Sequence, residues 1–248
     1  MAVYVVLASP IGINPYIRYC WIDARDIWAG IGGGTFNNAG TLRKSAGAGE
    51  TYIEIPVNNT GTVQAQSGTL NLKGGGTSSG SFSVAADATL AFGGGTHELN
   101  SSTIFTGPGT LRFSSGMANV EGDYNISGLT DLAGGLANFN SGEVVETTAF
   151  TQAGGVLDGS DTLTVSGPTT WTSGTMRGSG RTIAQGGVAL GGHPSNGYYL
   201  YLDQRQLDNA GTAVWTGNEF NRFHLQNGAL LNNLPAALFD IQTDADIN

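Results

Sequence analysis

Charged side chains are scarce in this sequence. They make up 12% of the 248 residues, which is about half the usual share. Only 10 are basic, against 19 acidic ones, and the formal net charge is −9. Binding to phosphate groups requires clustered Lys and Arg, whereas only Arg43 and Lys44 are adjacent here. The composition therefore predicts no nucleic-acid partner and a surface that mild negative charge keeps soluble.

Cysteine and long apolar runs are also missing. Cys20 is the only cysteine, so an intrachain disulfide is excluded. No apolar run reaches the roughly 18 residues of a membrane-spanning helix, so we expect no transmembrane segment. The 3 histidines are far apart in the sequence, which argues against a zinc site. Between residues 32 and 190 no segment sustains a helical period, so helices should be scarce there.

Glycine is abundant, with 40 residues, and a short motif recurs. The motif places an Asn-containing turn between apolar residues, with Gly-Thr after the turn in three of its copies. Asn and Gly are the residues that let a chain corner between two strands. Self-similarity at a period of roughly 20 residues indicates a solenoid. The four copies are Phe36–Leu42, Val57–Val63, Leu207–Ala213 and Leu231–Ala237.

Short segments of alternating apolar and polar residues lie between the glycine corners, as in Thr69–Leu72 and Thr89–Phe92. Such alternation buries one face of a strand and exposes the other. A β-sandwich or barrel also has many short strands, but two-residue hairpin signals such as Asp158-Gly159 and Asn227-Gly228 are few. We predict an all-β fold: a right-handed parallel β-helix, that is, a solenoid with coils of roughly 20 residues.

The coil spacing also predicts contacts between asparagines. In the first two motif copies Asn37 and Asn58, and likewise Asn38 and Asn59, stand at the same corner of successive coils. Stacked amides of this kind satisfy one another and the polar groups of the turn. We therefore interpret these asparagines as structural rather than as ligand contacts.

Two regions are predicted. Residues 1–30 are rich in aromatic and aliphatic side chains and lack the Gly-Thr rhythm. They are expected to form an N-terminal cap, because a solenoid end exposes apolar core and strand edges. The alternative is a non-repeat segment from neighbouring sequence. Residues 31–248 form the predicted β-helix repeat domain, whose strand-like end favours a longer array or end-to-end self-association.

The repeat resembles those of large secreted or surface-exposed bacterial proteins with a pectin-lyase-like β-helix, including adhesins and autotransporter passengers. The resemblance implies this fold and a secreted or cell-surface location. It implies no activity, because the fold hosts lyases, hydrolases, adhesins and spacers. The likeness rests on Phe36–Leu42, Val57–Leu72, Gly107–Phe113, Thr164–Gly180 and Ala237–Ile247.

Carboxylates are the first candidate site. Glycoside hydrolysis needs two carboxyl groups about 5–10 Å apart, and residues one coil apart in a solenoid lie side by side. No strand carries the Asp block with flanking Arg or Lys that the resemblance implies for enzymes, so solvated turn carboxylates are the alternative. Whether the chain is an enzyme stays open. The candidate catalytic residues are Glu98 with Glu121 and Asp123, and Glu143 and Glu146 with Asp158 and Asp161.

Clustered carboxylates also suit calcium, which prefers oxygen ligands. No segment matches an EF-hand loop or the calcium-binding nonapeptide repeat. The expected cofactor is therefore none, or Ca²⁺ held by one of two local sets. These sets are Asp158 with Asp161, and Asp240 with Asp244 and Asp246.

Aromatic residues become dense after residue 197. Tyr198 and Tyr199 are consecutive, so they cannot both face one core. Exposed aromatic rings suit sugar rings or a protein partner, whereas a loop packed by its own tyrosines is the alternative. The candidate ligand contacts are Tyr198, Tyr199, Tyr201 and Trp215.

Two functions follow from these patterns. The first is a non-catalytic β-helical module of a secreted or cell-surface protein, with a structural or adhesion role and contact with glycans. The second is a hydrolase, assisted by Ca²⁺, that acts on a polysaccharide, ester or lactone at carboxylates on one lateral face. An enzyme requires a carboxylate cluster in a groove, whereas a spacer requires none.

Overall fold

The computed structural model describes residues 22–23, 26–27, 33–191, 199–217 and 222–247. In these residues the chain is all-β and contains no helix, so none of them forms a helix that could cross a membrane. The strands are β1 (Ile22–Asp23), β2 (Asp26–Ile27), β3 (Phe36–Asn38), β4 (Thr41–Lys44), β5 (Glu50–Ile53), β6 (Val57–Asn59), β7 (Thr62–Ala65), β8 (Thr69–Leu72), β9 (Gly76–Ser78), β10 (Ser81–Val84), β11 (Thr89–Leu99), β12 (Ile104–Gly107), β13 (Thr110–Val120), β14 (Asp123–Leu132), β15 (Leu136–Phe139), β16 (Val144–Gln152), β17 (Val156–Gly159), β18 (Thr162–Val165), β19 (Thr169–Trp171), β20 (Gly174–Arg177), β21 (Arg181–Ala184), β22 (Val188–Gly191), β23 (Leu200–Asp203), β24 (Gln206–Asn209), β25 (Thr212–Thr216), β26 (Phe223–Gln226), β27 (Leu230–Asn233) and β28 (Leu238–Ile241).

The strands stack in parallel as a β-solenoid of about 9 turns of roughly 20 residues, which confirms the predicted fold. Each strand of an interior turn pairs with the equivalent strands one turn earlier and one turn later. Thr41 lies beside Thr62, for example, and Leu42 lies beside Val63. Among the strands that the structure describes, only β1 and β2 pair in the antiparallel sense.

The pairings divide the solenoid into three lateral faces. Face 1 consists of β3, β6, β9, β15, β17, β20, β23 and β26, with the second halves of β11 and β13. Face 2 consists of β4, β7, β10, β12, β18, β21, β24 and β27, with the first halves of β14 and β16. Face 3 consists of β2, β5, β8, β19, β22, β25 and β28, with the first halves of β11 and β13 and the second halves of β14 and β16.

The recurring Asn-containing motif forms corners, at two different places. Its first two copies turn the chain from face 1 to face 2, and its last two turn it from face 2 to face 3. The corners of successive turns lie close together, so glycine is required there. A Cβ at Gly61 would lie 2.1 Å from the carbonyl oxygen of Gly40. The Asn-containing motif can therefore form more than one of the solenoid's corners.

The predicted amide ladders are confirmed. Asn38 Nδ2 donates to Asn59 Oδ1 at 2.7 Å, and Asn58 Nδ2 donates to Asn37 Oδ1 at 3.1 Å. A further pair joins Asn209 Nδ2 to Asn233 Oδ1 at 2.8 Å, at the corner between faces 2 and 3. These bonds tie one turn to the next, as the structural interpretation of the asparagines requires.

The interior is filled by side chains from alternate positions of all three faces. Phe82 and Phe105 stack with ring centroids 4.9 Å apart, and Phe92 and Phe113 stack at 5.7 Å, each pair spanning adjacent turns. All four rings are buried. Because equivalent positions of successive turns repeat an apolar residue, the core is a continuous column rather than a single cluster.

The predicted cap falls mostly outside the described residues. Of residues 1–30, only the short strands β1 and β2 are described. Asp26 and Ile27 pair in parallel with Tyr52 and Ile53, so β2 extends face 3 by one strand. Whether residues 1–30 form a cap stays a prediction.

Candidate functional site

The first carboxylate group is spread around a corner. Glu98 points outward on face 1, where both of its carboxylate oxygens accept hydrogen bonds from Asn119 Nδ2 at 2.9 and 3.0 Å. Glu121 is exposed at the corner between faces 1 and 2, and Asp123 is exposed at the first position of β14 on face 2. The structure therefore does not bring these three side chains onto one face.

The second group is divided in the same way. Asp158, on face 1, accepts a hydrogen bond from Arg177 Nε at 2.7 Å. Glu143 is exposed in the turn before β16, and Glu146 is exposed on face 2. There Glu146 lines a polar cavity of about 230 Å³ together with Asn125.

Asp161 has a structural position. It is 4% exposed and lies at the corner between faces 1 and 2. Its carboxylate accepts hydrogen bonds from the main-chain N–H of Ser141 at 2.6 Å, from Ser141 Oγ at 2.7 Å and from the N–H of Gly142 at 3.0 Å. Three donors from the turn one coil away therefore occupy the Asp161 oxygens, which anchors that turn.

The aspartates of the second predicted calcium set lie near the last described strands. Asp240 is on face 3 and accepts a hydrogen bond from Gln242 Nε2 at 2.6 Å. Asp244 and Asp246 are exposed in the segment after β28. Within the described ranges, no group of three or more His, Cys, Asp or Glu side chains is arranged to hold a metal ion. Calcium binding stays a prediction of the sequence.

The four aromatic candidates do not lie together. Tyr198 lies outside the described residues. Trp215 is 1% exposed and packs in the core against Phe223, with ring centroids 6.3 Å apart, so its indole is not available at the surface. The local sequence does not indicate this, because the inward side of a strand depends on its register in the tube.

Tyr199 and Tyr201, by contrast, lie together at the surface of face 1 with a residue from the next turn. The Tyr201 and His224 rings stack with centroids 4.9 Å apart and an interplanar angle of 13°. The Tyr199 ring packs edge-on against both, at 6.1 Å from Tyr201 and 5.6 Å from His224. All three side chains are half-buried. They form a fixed aromatic cluster, which we call the face 1 aromatic cluster.

This cluster ends a column of side chains that runs along face 1. Neighbours in a column are about 4.8 Å apart, because each belongs to the next turn of the solenoid. Below the cluster the column is mainly apolar, and Met117, the apolar member farthest from the cluster, is 39% exposed. We call it the apolar column. Its members are Met117, Leu136, Val156, Thr175, Tyr201 and His224.

A second outward column runs beside the first, two residues further along each strand and thus about 7 Å away. Its side chains are linked from turn to turn: Asn138 Nδ2 donates to Asn119 Oδ1 at 3.1 Å, in addition to the contacts of Glu98 and Asp158 above. We call it the polar column. Its members are Glu98, Asn119, Asn138, Asp158, Arg177 and Asp203.

The sequence interpretation did not identify these columns. The sequence does contain the signal, because Met117 and Asn119 recur as Leu136 and Asn138 one turn later. Detecting it requires knowing the length of every following turn, since Val156 and Thr175 continue the column at unequal intervals. These intervals become known only when the strand pairing between successive turns is known.

Two buried groups near face 1 belong to the scaffold. His97 is 2% exposed, and its Nε2 lies 3.0 Å from Gly94 O and 3.2 Å from Leu72 O. Burial lowers the pKa of His97 to about 4. Arg205 is 1% exposed, and burial lowers its pKa to about 10, so the guanidinium is charged at neutral pH.

The Arg205 guanidinium satisfies a set of corner carbonyls. Its Nε donates to Thr182 Oγ1 at 3.0 Å. Its terminal nitrogens donate to main-chain carbonyl oxygens from two neighbouring turns, which lie within 3.1–3.3 Å. These carbonyls belong to Gly159, Asp161, Arg177 and Arg181.

Among the features of the described surface that could contact a ligand are the two columns of face 1 with their aromatic end. The candidate carboxylates outside face 1 are either exposed without a common groove or, like Asp161, bonded to the scaffold. Comparison of the chain with known protein families, with curated proteins and with solved structures gives no match.

Proposed function

We propose that this chain is a non-catalytic structural and adhesion module of a secreted or cell-surface protein, and that it contacts glycans through face 1. The observation that carries the proposal is the face 1 aromatic cluster, which lies at the surface beside the polar side chains of Arg177 and Asp203. The location follows from the resemblance of the repeat to surface-exposed β-helical proteins.

The cluster has the chemistry of a sugar-contacting surface. Sugar rings carry apolar C–H faces that pack on aromatic rings, and hydroxyl groups that need hydrogen-bond partners. The Tyr201 ring is half-buried at the surface of face 1, Asp203 lies on the same strand, and Arg177 lies on the paired strand of the preceding turn. Because Tyr199 and His224 hold the Tyr201 ring in place, little side-chain entropy is lost when a ligand binds.

The scaffold suits a structural role. Every turn pairs with its neighbours over three faces, and the core continues from turn to turn. A surface built on such strands is held rigidly, whereas one built on loops is not. The solenoid therefore presents face 1 as an extended surface that runs along its axis.

The hydrolase alternative has weaker support. A retaining or inverting glycosidase needs two carboxyl groups that flank one bond. Asp158 is paired with Arg177 on face 1, and Asp161 is buried under the Ser141 turn. Glu146 lines the cavity on face 2, to which neither of these carboxylates contributes.

The experiment is glycan binding with a matched pair of tyrosine variants. The wild-type protein is measured against an array of neutral and acidic polysaccharides, and the affinity for the glycans retained is then determined by titration calorimetry. We expect Tyr201→Ala to bind about tenfold more weakly or worse, since it removes the ring on which the sugar packs. Tyr52→Ala, at a half-buried tyrosine on face 3, should leave the affinity unchanged.

The proposal is wrong if no polysaccharide binds, or if Tyr201→Ala and Tyr52→Ala behave alike. Incubation of the bound glycans with the protein tests the non-catalytic part. No new reducing ends should appear, and their release would favour the hydrolase.

A further inference from the structure

The two columns of face 1 extend well beyond the aromatic cluster. From Met117 to His224 the apolar column passes through six successive turns, so at about 4.8 Å per turn it spans about 24 Å. The polar column begins one turn earlier, at Glu98, and accompanies the apolar column from Asn119 to Asp203. A single sugar ring would cover only the end of this surface.

From this arrangement we infer that the ligand is a linear, neutral glycan that lies along the solenoid axis, with successive sugar units over successive turns of face 1. The inference rests on the proposed function, because it takes face 1 as the glycan-contacting surface. It adds the direction of the polymer, the number of turns it covers and its charge class.

The direction follows from the pairing of the columns. A linear glycan presents C–H faces and hydroxyl groups repeatedly along its length. On face 1 the apolar positions and the hydrogen-bonding positions each repeat once per turn, parallel to the axis. A chain laid across the strands in this direction places its C–H faces on Leu136 and Val156 while its hydroxyl groups meet Asn138 and Asp158. A chain laid along a strand would meet both columns only once.

The polar column offers hydrogen-bond donors and acceptors that suit neutral hydroxyl groups. Asn138 donates to Asn119 and accepts from Asn140. Asn119 in turn donates to Glu98, so these side chains are held in fixed orientations. An amide has two donor hydrogens and an acceptor oxygen with two lone pairs, and each of these bonds uses only part of that capacity. The remaining donors and acceptors are available to hydroxyl groups, which both donate and accept.

The charge of the column disfavours anionic glycans. It contains three carboxylates, those of Glu98, Asp158 and Asp203, against the single guanidinium of Arg177, which already pairs with Asp158. The formal net charge of the chain is −9. A uronate carboxylate placed on this column would meet like charges within a few ångströms, and this repulsion is strongest at low ionic strength.

Chain length is the first variable of the test. The probes are the disaccharide and the hexasaccharide of β-1,4-linked glucan, mannan and xylan, with the oligogalacturonate hexasaccharide as the anionic probe, all titrated at low salt. We expect the neutral hexasaccharide that binds best to exceed its own disaccharide at least tenfold in affinity, because each further unit adds a linked contact.

Variants on face 1 locate the added contacts. Leu136→Ala combined with Asn138→Ala alters the columns three turns away from Tyr201. It should reduce the advantage of the hexasaccharide and leave the disaccharide affinity unchanged. Asp203→Asn removes one negative charge and should raise the affinity for the oligogalacturonate hexasaccharide relative to the neutral one. Far-ultraviolet dichroism checks that each variant keeps its β structure.

The possible outcomes separate the two proposals. If disaccharide and hexasaccharide bind equally, if the Leu136 and Asn138 changes have no effect, or if oligogalacturonate binds more tightly than every neutral probe, the inference is overturned. The proposed function survives these results provided that Tyr201→Ala still weakens binding. If no probe binds, or if Tyr201→Ala has no effect, the proposed function fails and the inference fails with it.

Discussion

The buried imidazole of His97 gives this protein a predictable loss of stability in mild acid. The ring is 2% exposed and packs edge-on against Phe92, with centroids 4.7 Å apart. Its Nε2 faces two carbonyl oxygens, Gly94 O and Leu72 O, so the neutral ring carries its proton on Nε2. A second proton would place a positive charge inside the apolar core, and burial therefore lowers the pKa of His97 to about 4.

The size and sign of the effect follow from linkage. In the unfolded chain the pKa of His97 is near 6.5. The folded-state pKa is lower, so the unfolded state binds the proton more tightly. The contribution of His97 to the free energy of unfolding is therefore fully present above pH 6.5 and is lost as the pH drops toward about 4. The loss is about 3 kcal/mol, at about 1.36 kcal/mol for each unit of pKa difference.

The assay is urea unfolding of the wild-type protein and of His97→Gln at a series of pH values through this window. Glutamine retains an N–H donor but does not titrate, and the carboxylates titrate equally in both proteins. The stability difference between them therefore isolates His97. We expect the wild type to lose about 3 kcal/mol relative to His97→Gln as the pH falls. A difference that is constant with pH would refute the account of His97 as a neutral core residue.

Two further substitutions test what ties the turns together, each by urea unfolding against a surface control. Arg205→Met removes the buried guanidinium that donates to four corner carbonyls and to Thr182, and it should cost about 3 kcal/mol or more. Arg177→Met, at an exposed ion pair, should cost less than about 1 kcal/mol. Equal losses would show that Arg205 does not support the corner. Gly159→Ala should cost about 2 kcal/mol or more, because φ is 107° and the new Cβ would lie 2.0 Å from Phe139 O. Gly142→Ala also has a positive φ of 78° but meets no atom within 4 Å, so a smaller loss is expected there; the reverse order would contradict the close stacking of the corners.

The class of fold could be predicted from short stretches of sequence. Alternation within a strand is a local property, so a buried face could be predicted for Thr89–Phe92, where Leu90 and Phe92 are buried in the core. Glycine and asparagine at the corners are equally local, because each is required by the backbone of its own turn. The contact between Asn38 and Asn59 was predictable because the first two motif copies are one coil apart, which places equivalent residues of the two copies side by side.

The candidate site was less predictable, because the length of each turn varies. Leu157 and Met176 are neighbours in successive turns, and so are Met176 and Leu202, but the second of these intervals is clearly longer than the first. A sequence separation close to the average turn length therefore does not by itself place two side chains next to each other. The grouping of Glu98 with Asp123 depended on that assumption, and a corner separates the faces on which these two residues lie.

The sequence by itself determined that this chain forms short strands with glycine corners and that alternate apolar side chains face a core, since those features depend on neighbours along the chain. Only the tertiary structure decided which strands share a face, that Trp215 points into the core, and that Tyr201 meets His224 outside it. The physical reason is that hydrogen-bonded register between turns, rather than distance along the chain, determines which side chains become neighbours in a solenoid.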